Sequence, residues 1–205
     1  MRTTDDTTTA IAGGPDRRQQ LVATAAQLFD ERGYYQTSVE DVAEACGIRK
    51  PTLYHYFSGK DEILFSIHDE FIDLLIARQR ARDEQGVPPG DALQALMADV
   101  LGLMSTHRGY VRVFFEHYRE LNGEARAAIK RKRDDYQASI EALFRRGAET
   151  GEFRAVDPTL ATLTLAGMCN WAYHWYDPTG PLSSDDIASA FRQILRDGFE
   201  KDVER

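Results

Sequence analysis

The chain has 205 residues, 42% of them hydrophobic, and carries 25 Lys plus Arg against 33 Asp plus Glu, a formal charge of −8. That length allows a substantial core, as one domain or as a small and a medium one, while the acidic balance excludes a protein that coats nucleic acid over its whole surface. There is no bilayer-length apolar run and no apolar leader, so the expectation is a cytosolic protein that makes no use of a membrane.

In chain order, residues 1–14, rich in Thr, Asp and Gly, predict a disordered tail. A first helix is expected over Arg17–Arg32. Thr37 and Glu40 match the capping-box pattern, so a second helix should start near Ser38, with Val39, Val42, Ala43 and Cys46 on its buried stripe. Gly47 supplies the conformational freedom that a sharp turn between crossed helices needs, and Ile48 tucks that turn inward. Pro51 falls in the first turn of a third helix, where a missing N–H costs little. Leu53 and Phe57 face inward from it, and Tyr34 and Tyr35 are expected in the same core.

Beyond residue 60 the pattern is helical throughout. Ser58 and Asp61 should cap a long helix with Ile63, Leu64, Ile67, Phe71, Leu74 and Leu75 inward. After the Gln85–Gly90 break, Asp91 starts a helix through Met104, and Gly109 precedes an aromatic-rich helix over Tyr110–Glu120. Asn122-Gly123 is a turn, and Arg126–Glu149 form a charged helix with Ile129, Tyr136, Ile140, Leu143 and Phe144 inward. Asp157-Pro158 opens a helix to Tyr176, and a last helix from Ser184 carries Ile187, Ala190, Phe191, Ile194 and Leu195 on one face. The result is an all-α fold of nine helices. Cys46 and Cys169 sit in apolar helical settings, with neither a disulfide framework nor zinc spacing.

Function concentrates in Thr37–Lys60. The second helix of this pair carries bases, aromatics and hydroxyls but no acid, the composition of a helix that enters a DNA major groove. A generic helical hairpin with core aromatics is the competing reading. It fails because Lys50, Tyr54, His55 and Tyr56 cannot all be buried together with Leu53 and Phe57 on one short helix. The DNA-binding candidates are Thr37, Ser38, Arg49, Lys50, Pro51, Thr52, Tyr54, His55, Tyr56 and Lys60. Thr37, Tyr56 and Lys60 are expected on phosphates, and Arg49, Lys50, Thr52 and Tyr54 near base edges or thymine methyls. Arg49, Lys50 and Lys60 make an acid-free positive tip on an acidic body.

The segment Gly47–Lys60, with its Thr-Leu-Tyr-x-x-Phe core and a lysine three residues on, resembles the signature of TetR-family transcriptional regulators. The likeness runs back through Glu31-Arg-Gly-Tyr-Tyr-Gln-Thr-Ser and Leu21–Phe29. Arg49 departs from it, since the family more often has a small capping residue there. The resemblance implies a helix-turn-helix head over 15–60 and a six-helix ligand-binding and dimerisation domain over 61–205. It also implies a homodimer paired through the last two helices on a palindromic double-stranded operator. Leu160, Leu163, Leu165, Met168, Ala172 and Trp175 cover more of their helix than one buried stripe requires, which suits that pairing.

A ligand pocket is expected among Met104, Tyr110, Phe114, Phe115, Tyr118, Tyr136, Ile140, Asn170, Trp171 and His174, although aromatics at helical spacing also fit plain core. Asn170 and His174, four apart, could orient a polar ligand group or bond each other. The Trp171–Ser183 tract and the Gly151–Arg154 turn are similar to members that sense acyl-CoA thioesters and control fatty-acid or sterol degradation. Such ligands imply an apolar tunnel with basic residues at its mouth, for which Arg78, Arg80, Arg82, Arg108 and Arg112 are available. The implied function is a repressor released by a hydrophobic effector, an acyl-CoA thioester in this reading. The alternative is a TetR-like repressor of an efflux or catabolic gene induced by an aromatic or cationic molecule caught near Glu116 or Glu120. An enzyme built on His107, His117 or His174 has no Gly-x-Ser-x-Gly elbow, phosphate loop or His-Glu-x-x-His to support it, and neither cofactor nor metal is implied.

Overall fold

A computed structural model describes residues 17–197; the expected tail over 1–14 lies outside them. Among the described residues there are nine α-helices and no strand. They are α1 (Arg17–Arg32), α2 (Val39–Ala45), α3 (Lys50–Tyr54), α4 (Lys60–Glu84), α5 (Pro89–Thr106), α6 (Arg108–Glu116), α7 (Gly123–Glu149), α8 (Pro158–Trp171) and α9 (Ser184–Asp197). Short 3-10 turns over Tyr118–Glu120 and Ala172–His174 follow α6 and α8, so the expected Tyr110–Glu120 and Asp157–Tyr176 helices each end in a tightened turn.

The first three helices close on Leu21, Val22, Ala25, Phe29, Tyr34, Val42, Leu53 and Phe57. The start of α2 is one residue later than the Thr37 cap implied. Ser38 is the N-cap, and it exchanges hydrogen bonds with Asp41 in a complete capping box. Thr37 is buried instead, its hydroxyl shared between the carbonyls of Gly33 at 2.9 Å and Leu28 at 3.3 Å. Gly33 takes φ 91, which swings Tyr34 inward and leaves Tyr35 71% exposed, not in the core as expected. Gly47, at φ 65, makes the turn between α2 and α3.

Helix α4 ties this head to the larger bundle. Its start is held by Ser58 donating to Glu62 from backbone and side chain at 2.7 and 2.8 Å, whereas Asp61, the expected partner, accepts from the Tyr34 hydroxyl at 2.8 Å. Arg18 of α1 lies over the Phe57 ring and donates to Ser66 at 2.7 Å. The bundle core holds Phe71, Ile72, Leu96, Met97, Leu101, Val111, Phe114, Ile140, Leu143 and Cys169. Asp157 caps α8, accepting from the Leu160 N–H at 2.8 Å. Cys46 is half-buried and Cys169 buried, both free thiols, and burial pushes the Cys169 thiol up to about 12.

Candidate DNA interface and effector cavity

On α3 the inward residues are Leu53 and, just after the helix, Phe57, while Arg49, Lys50, Pro51, Thr52, Tyr54 and His55 face solvent and Tyr56 is half-buried. That face is what five helical residues after a tight turn present once two apolar anchors are buried. Arg49 sits at the N-cap with no side-chain cap, Pro51 brings no N–H, and the Thr52 N–H is already bonded to the Arg49 carbonyl at 2.9 Å, so this end of α3 offers an outside acceptor its side chains more than its backbone. Tyr54 is 46% exposed and has the Lys50 ammonium 5.8 Å from its ring centroid.

The positive tip is weaker in three dimensions than along the chain. Lys50 is paired with Glu40 of α2, and this contact holds the Glu40 carboxyl below its ordinary range. Lys60 turns inward and donates to the carbonyls of Tyr34 at 2.8 Å and Thr37 at 3.0 Å, its ammonium 4.3 Å from the Tyr34 ring. Thr37 and Lys60, both expected on phosphates, therefore join the α1–α2 turn to the start of α4. The Thr37 side chain is too buried to reach a phosphate. Of the three cations, only Arg49 has neither an ion pair nor a hydrogen bond from its side chain among the described residues.

Helix α6 connects the head to the middle of the bundle. Gly109 packs so closely on α1 that a Cβ there would lie 2.6 Å from the Ala26 carbonyl oxygen. One turn on, Arg112 meets Asp30 at 2.9 Å. The opposite side of α6 bears Phe114 and Phe115, which line a cavity of about 390 Å³ between α4, α5, α6, α7 and α8. Phe71, Ile72, Leu75, Leu96, Val100 and Ile140 supply its apolar wall, and Lys130, Arg133, Asp134 and Gln137 of α7 border it.

Six of the ten expected lining residues meet there: Phe114, Phe115, Tyr118, Tyr136, Ile140 and Asn170. Four do not. Met104 is buried in the core, and Tyr110 donates its hydroxyl to Glu70 of α4 at 3.0 Å. Trp171 is 64% exposed with its ring 4.2 Å from that of His174, itself exposed, because α8 tightens into a 3-10 turn after Trp171 and carries both rings outward. The arginines expected at a mouth are used elsewhere: Arg78 and Arg82 on Asp99, Arg108 and Arg112 on Asp30, with Arg80 exposed and away from the cavity. Sequence reasoning missed Lys130, Arg133 and Thr162. Thr162 is 2% exposed, and its buried hydroxyl has no hydrogen-bond partner among the described residues.

Helix α8 splits its apolar residues between two directions. Leu165 and Ala172 face the core, whereas Leu160 at 65%, Leu163 at 52%, Trp171 and Trp175 remain open to solvent, as do Leu182 in the loop that follows and Ile194 on α9. A second groove, of about 740 Å³, runs along this face past Leu93, Phe153, Leu160 and Leu195. No helix here is long and apolar enough to cross a membrane, and no group of His, Cys, Asp and Glu could hold a metal ion among the described residues.

Residues 21–67 match the family model for bacterial regulatory proteins of the tetR family, and residues 86–199 match the tetracyclin repressor-like C-terminal domain. The transcriptional repressor KstR2 of Rhodococcus jostii is 29% identical over 204 residues, covering 95% of each chain. The TetR-family regulator PfmR of Thermus thermophilus superposes with a TM-score of 0.82 at 32% identity, over 89% of this chain and 100% of that one. AibR, solved in complex with isovaleryl coenzyme A and operator DNA, gives 0.79 at 31% identity over 90% and 100%.

Proposed function

The chain belongs to the TetR family of bacterial transcriptional regulators, and from that premise we propose that it is a repressor released from a palindromic operator by an apolar acyl effector, an acyl-CoA thioester. The observation that carries the DNA half is the outward face of α3, with Arg49, Thr52, Tyr54 and His55 displayed over buried Leu53 and Phe57. Residues 15–60 act as the reading head and residues 61–205 as the effector and pairing domain. Two copies join through the exposed α8 and α9 faces, which spaces two heads about 34–36 Å apart for successive major grooves. The role is regulatory rather than catalytic, carried out on the chromosome in the cytoplasm.

The effector half rests on the cavity. Its volume lies at the small end of the roughly 300–1,000 Å³ usual for ligand sites, and its wall is mostly apolar. The larger groove borders the exposed α8 face, which pairing would cover. Neither Glu116 nor Glu120, the carboxylates a cationic inducer would use, lines the cavity: Glu116 meets Arg112, and Glu120 lies beside His117. Filling the cavity displaces Phe114 and Phe115, and α6 passes the movement to α1 through Gly109 and Arg112. An effector acts only through its different affinity for the two head spacings.

Footprinting with purified protein tests the reading. A protected palindrome, lost in Tyr54→Ala while non-specific binding persists, is the expected result, with release by an acyl-CoA panel. No protected site at low salt refutes the DNA half, and operator affinity indifferent to every acyl-CoA refutes the effector half.

A further inference from the structure

Three of the seven cations on helix α7, Arg126, Lys130 and Arg133, recur at intervals of four and three residues, which places them on one stripe of the helix. The stripe runs past the cavity. Lys130 and Arg133 border it, and Tyr118, another lining residue, lies beneath both arginines, its ring centroid 5.4 Å from Arg126 and 4.7 Å from Arg133. Arg133 also covers the Phe114 ring at 4.9 Å.

Arg133 differs from most other half-buried cations here in what it lacks. Arg78, Arg82, Arg112 and Lys132 each meet a carboxylate. Lys130 meets Asp134 at 2.5 Å. Among the described residues, Arg133 has no ion pair and no side-chain hydrogen bond; it has two aromatic faces and the nearby charge of Asp134, whose carboxylate is paired with Lys130. Guanidinium stays charged in proteins, and a partly desolvated charge without a counter-ion is costly. Burial also lowers its proton affinity from the ordinary arginine value, the direction expected of a cation short of an anion. The second unsatisfied group is the Thr162 hydroxyl, buried and lining the same cavity. A mostly apolar wall that also holds the Lys130–Asp134 pair, one cation without a salt bridge and one hydroxyl without a partner describes a site completed from outside.

We infer that Arg133, assisted by Arg126 and Lys130, is the anion-recognition element at the mouth of this cavity, so that its ligand is an amphipathic anion. The apolar body lies between α4, α5, α7 and α8, and a phosphate or carboxylate meets the planar donor fork of Arg133 at its edge, beside Tyr118. The inference rests on the proposal that the cavity is the effector site, and it names the side chain that would receive the acid group of that effector.

The test is calorimetric titration of the full chain, without DNA, with lauroyl-CoA, laurate and methyl laurate below their aggregation limits. Wild type should bind an anionic probe more tightly than the neutral ester. Binding confined to lauroyl-CoA identifies the anion as phosphate, and equal binding of laurate identifies it as carboxylate. Arg133→Gln should weaken the anionic probes by about ten- to a hundredfold and leave the ester unchanged, with Arg133→Lys recovering part of the loss. Arg131→Gln, exposed and away from the cavity, should match wild type. Equal weakening of all three probes by Arg133→Gln would reduce the residue to a packing lid and overturn the assignment. So would unchanged binding of the anions, a wild-type preference for the ester, or no binding of any probe. Arg133-dependent binding that fails to release operator refutes the effector reading and leaves the anion site standing; release that survives Arg133→Gln does the reverse.

Discussion

Gly109→Ala adds one methyl group at the joint between the bundle and the head. The new Cβ would lie 2.6 Å from the Ala26 carbonyl oxygen, 2.7 Å from its carbon and 3.0 Å from the Gln27 nitrogen. All three are backbone atoms of α1, so no side chain can swing aside, and an ordinary contact begins near 3.4 Å. The helices must part by most of an ångström where Arg112 and Asp30 now meet at 2.9 Å. Two effects compete. Alanine is preferred to glycine within a helix by up to about 1 kcal/mol, and overpacking costs about 1–3 kcal/mol. With rigid backbone on the other side the clash wins, for a net loss of about 2 kcal/mol and a Tm lower by about 4–8 °C. Gly102→Ala is the control: its Cβ would meet only the Ser184 hydroxyl at 3.8 Å, so it should gain about 0.5–1 kcal/mol. Thermal and urea unfolding at one fixed protomer concentration compare the two. A Gly109→Ala protein as stable as wild type would show that α1 and α6 are not keyed together here. An undiminished effector response in the same variant would remove α6 from the signalling route.

His68 is fully buried, with neither ring nitrogen in a well-formed hydrogen bond among the described residues. Burial first, and the Arg133 charge second, hold its pKa down from 6.5 to about 3. Above pH 6.5 neither folded nor unfolded chain carries the proton; between 6.5 and 3 only the unfolded chain takes it up, so stability falls with pH across that window by up to about 1.4 kcal/mol per unit. His68→Leu should flatten this slope in urea titrations at several pH values, and an unaltered slope contradicts the assignment. Glu40→Gln frees Lys50 from its partner, so operator affinity should rise and its salt dependence steepen by about one ion, a change that mobility shifts over a salt series would detect or deny. Lys60→Met should lower the unfolding midpoint, leaving two backbone carbonyls unsatisfied at about 1–3 kcal/mol, with no change in salt slope. A shallower slope at full stability would return Lys60 to the phosphates. Leu160→Arg should give single subunits in sedimentation and abolish specific operator binding; an intact dimer would move the interface off α8.

Helical periodicity located the long elements because their stripes were unambiguous: Ile63, Leu64, Ile67 and Phe71 are all buried as their spacing implied. The errors came where two local solutions overlap. Thr37 with Glu40 and Ser38 with Asp41 offer equivalent caps one residue apart, and the buried carbonyls of Leu28 and Gly33 decide between them by claiming the Thr37 hydroxyl. Tyr34 and Tyr35 look alike along the chain, and the conformation at Gly33 separates them. The cavity wall was partly legible because Phe114, Tyr136 and Ile140 are apolar at helical spacing. Its cations were not. Arg133 stands in an Arg-Lys-Arg-Asp-Asp run that reads as solvated surface, and only the approach of Phe114 and Tyr118 from another helix sets it apart.

The chain has two tryptophans, and both stand on the strip that α8 and its following turn leave uncovered, Trp171 at 64% and Trp175 at 48% exposure. Neither the α1–α3 head nor the cavity lining contains an indole. The protein therefore carries a built-in optical reporter in one place. Dilution that separates subunits should shift its emission to the red, and duplex DNA docking on α3, which carries no tryptophan, should leave the spectrum almost unchanged. One cuvette measurement can thus follow subunit association separately from operator occupancy, without any dye or label.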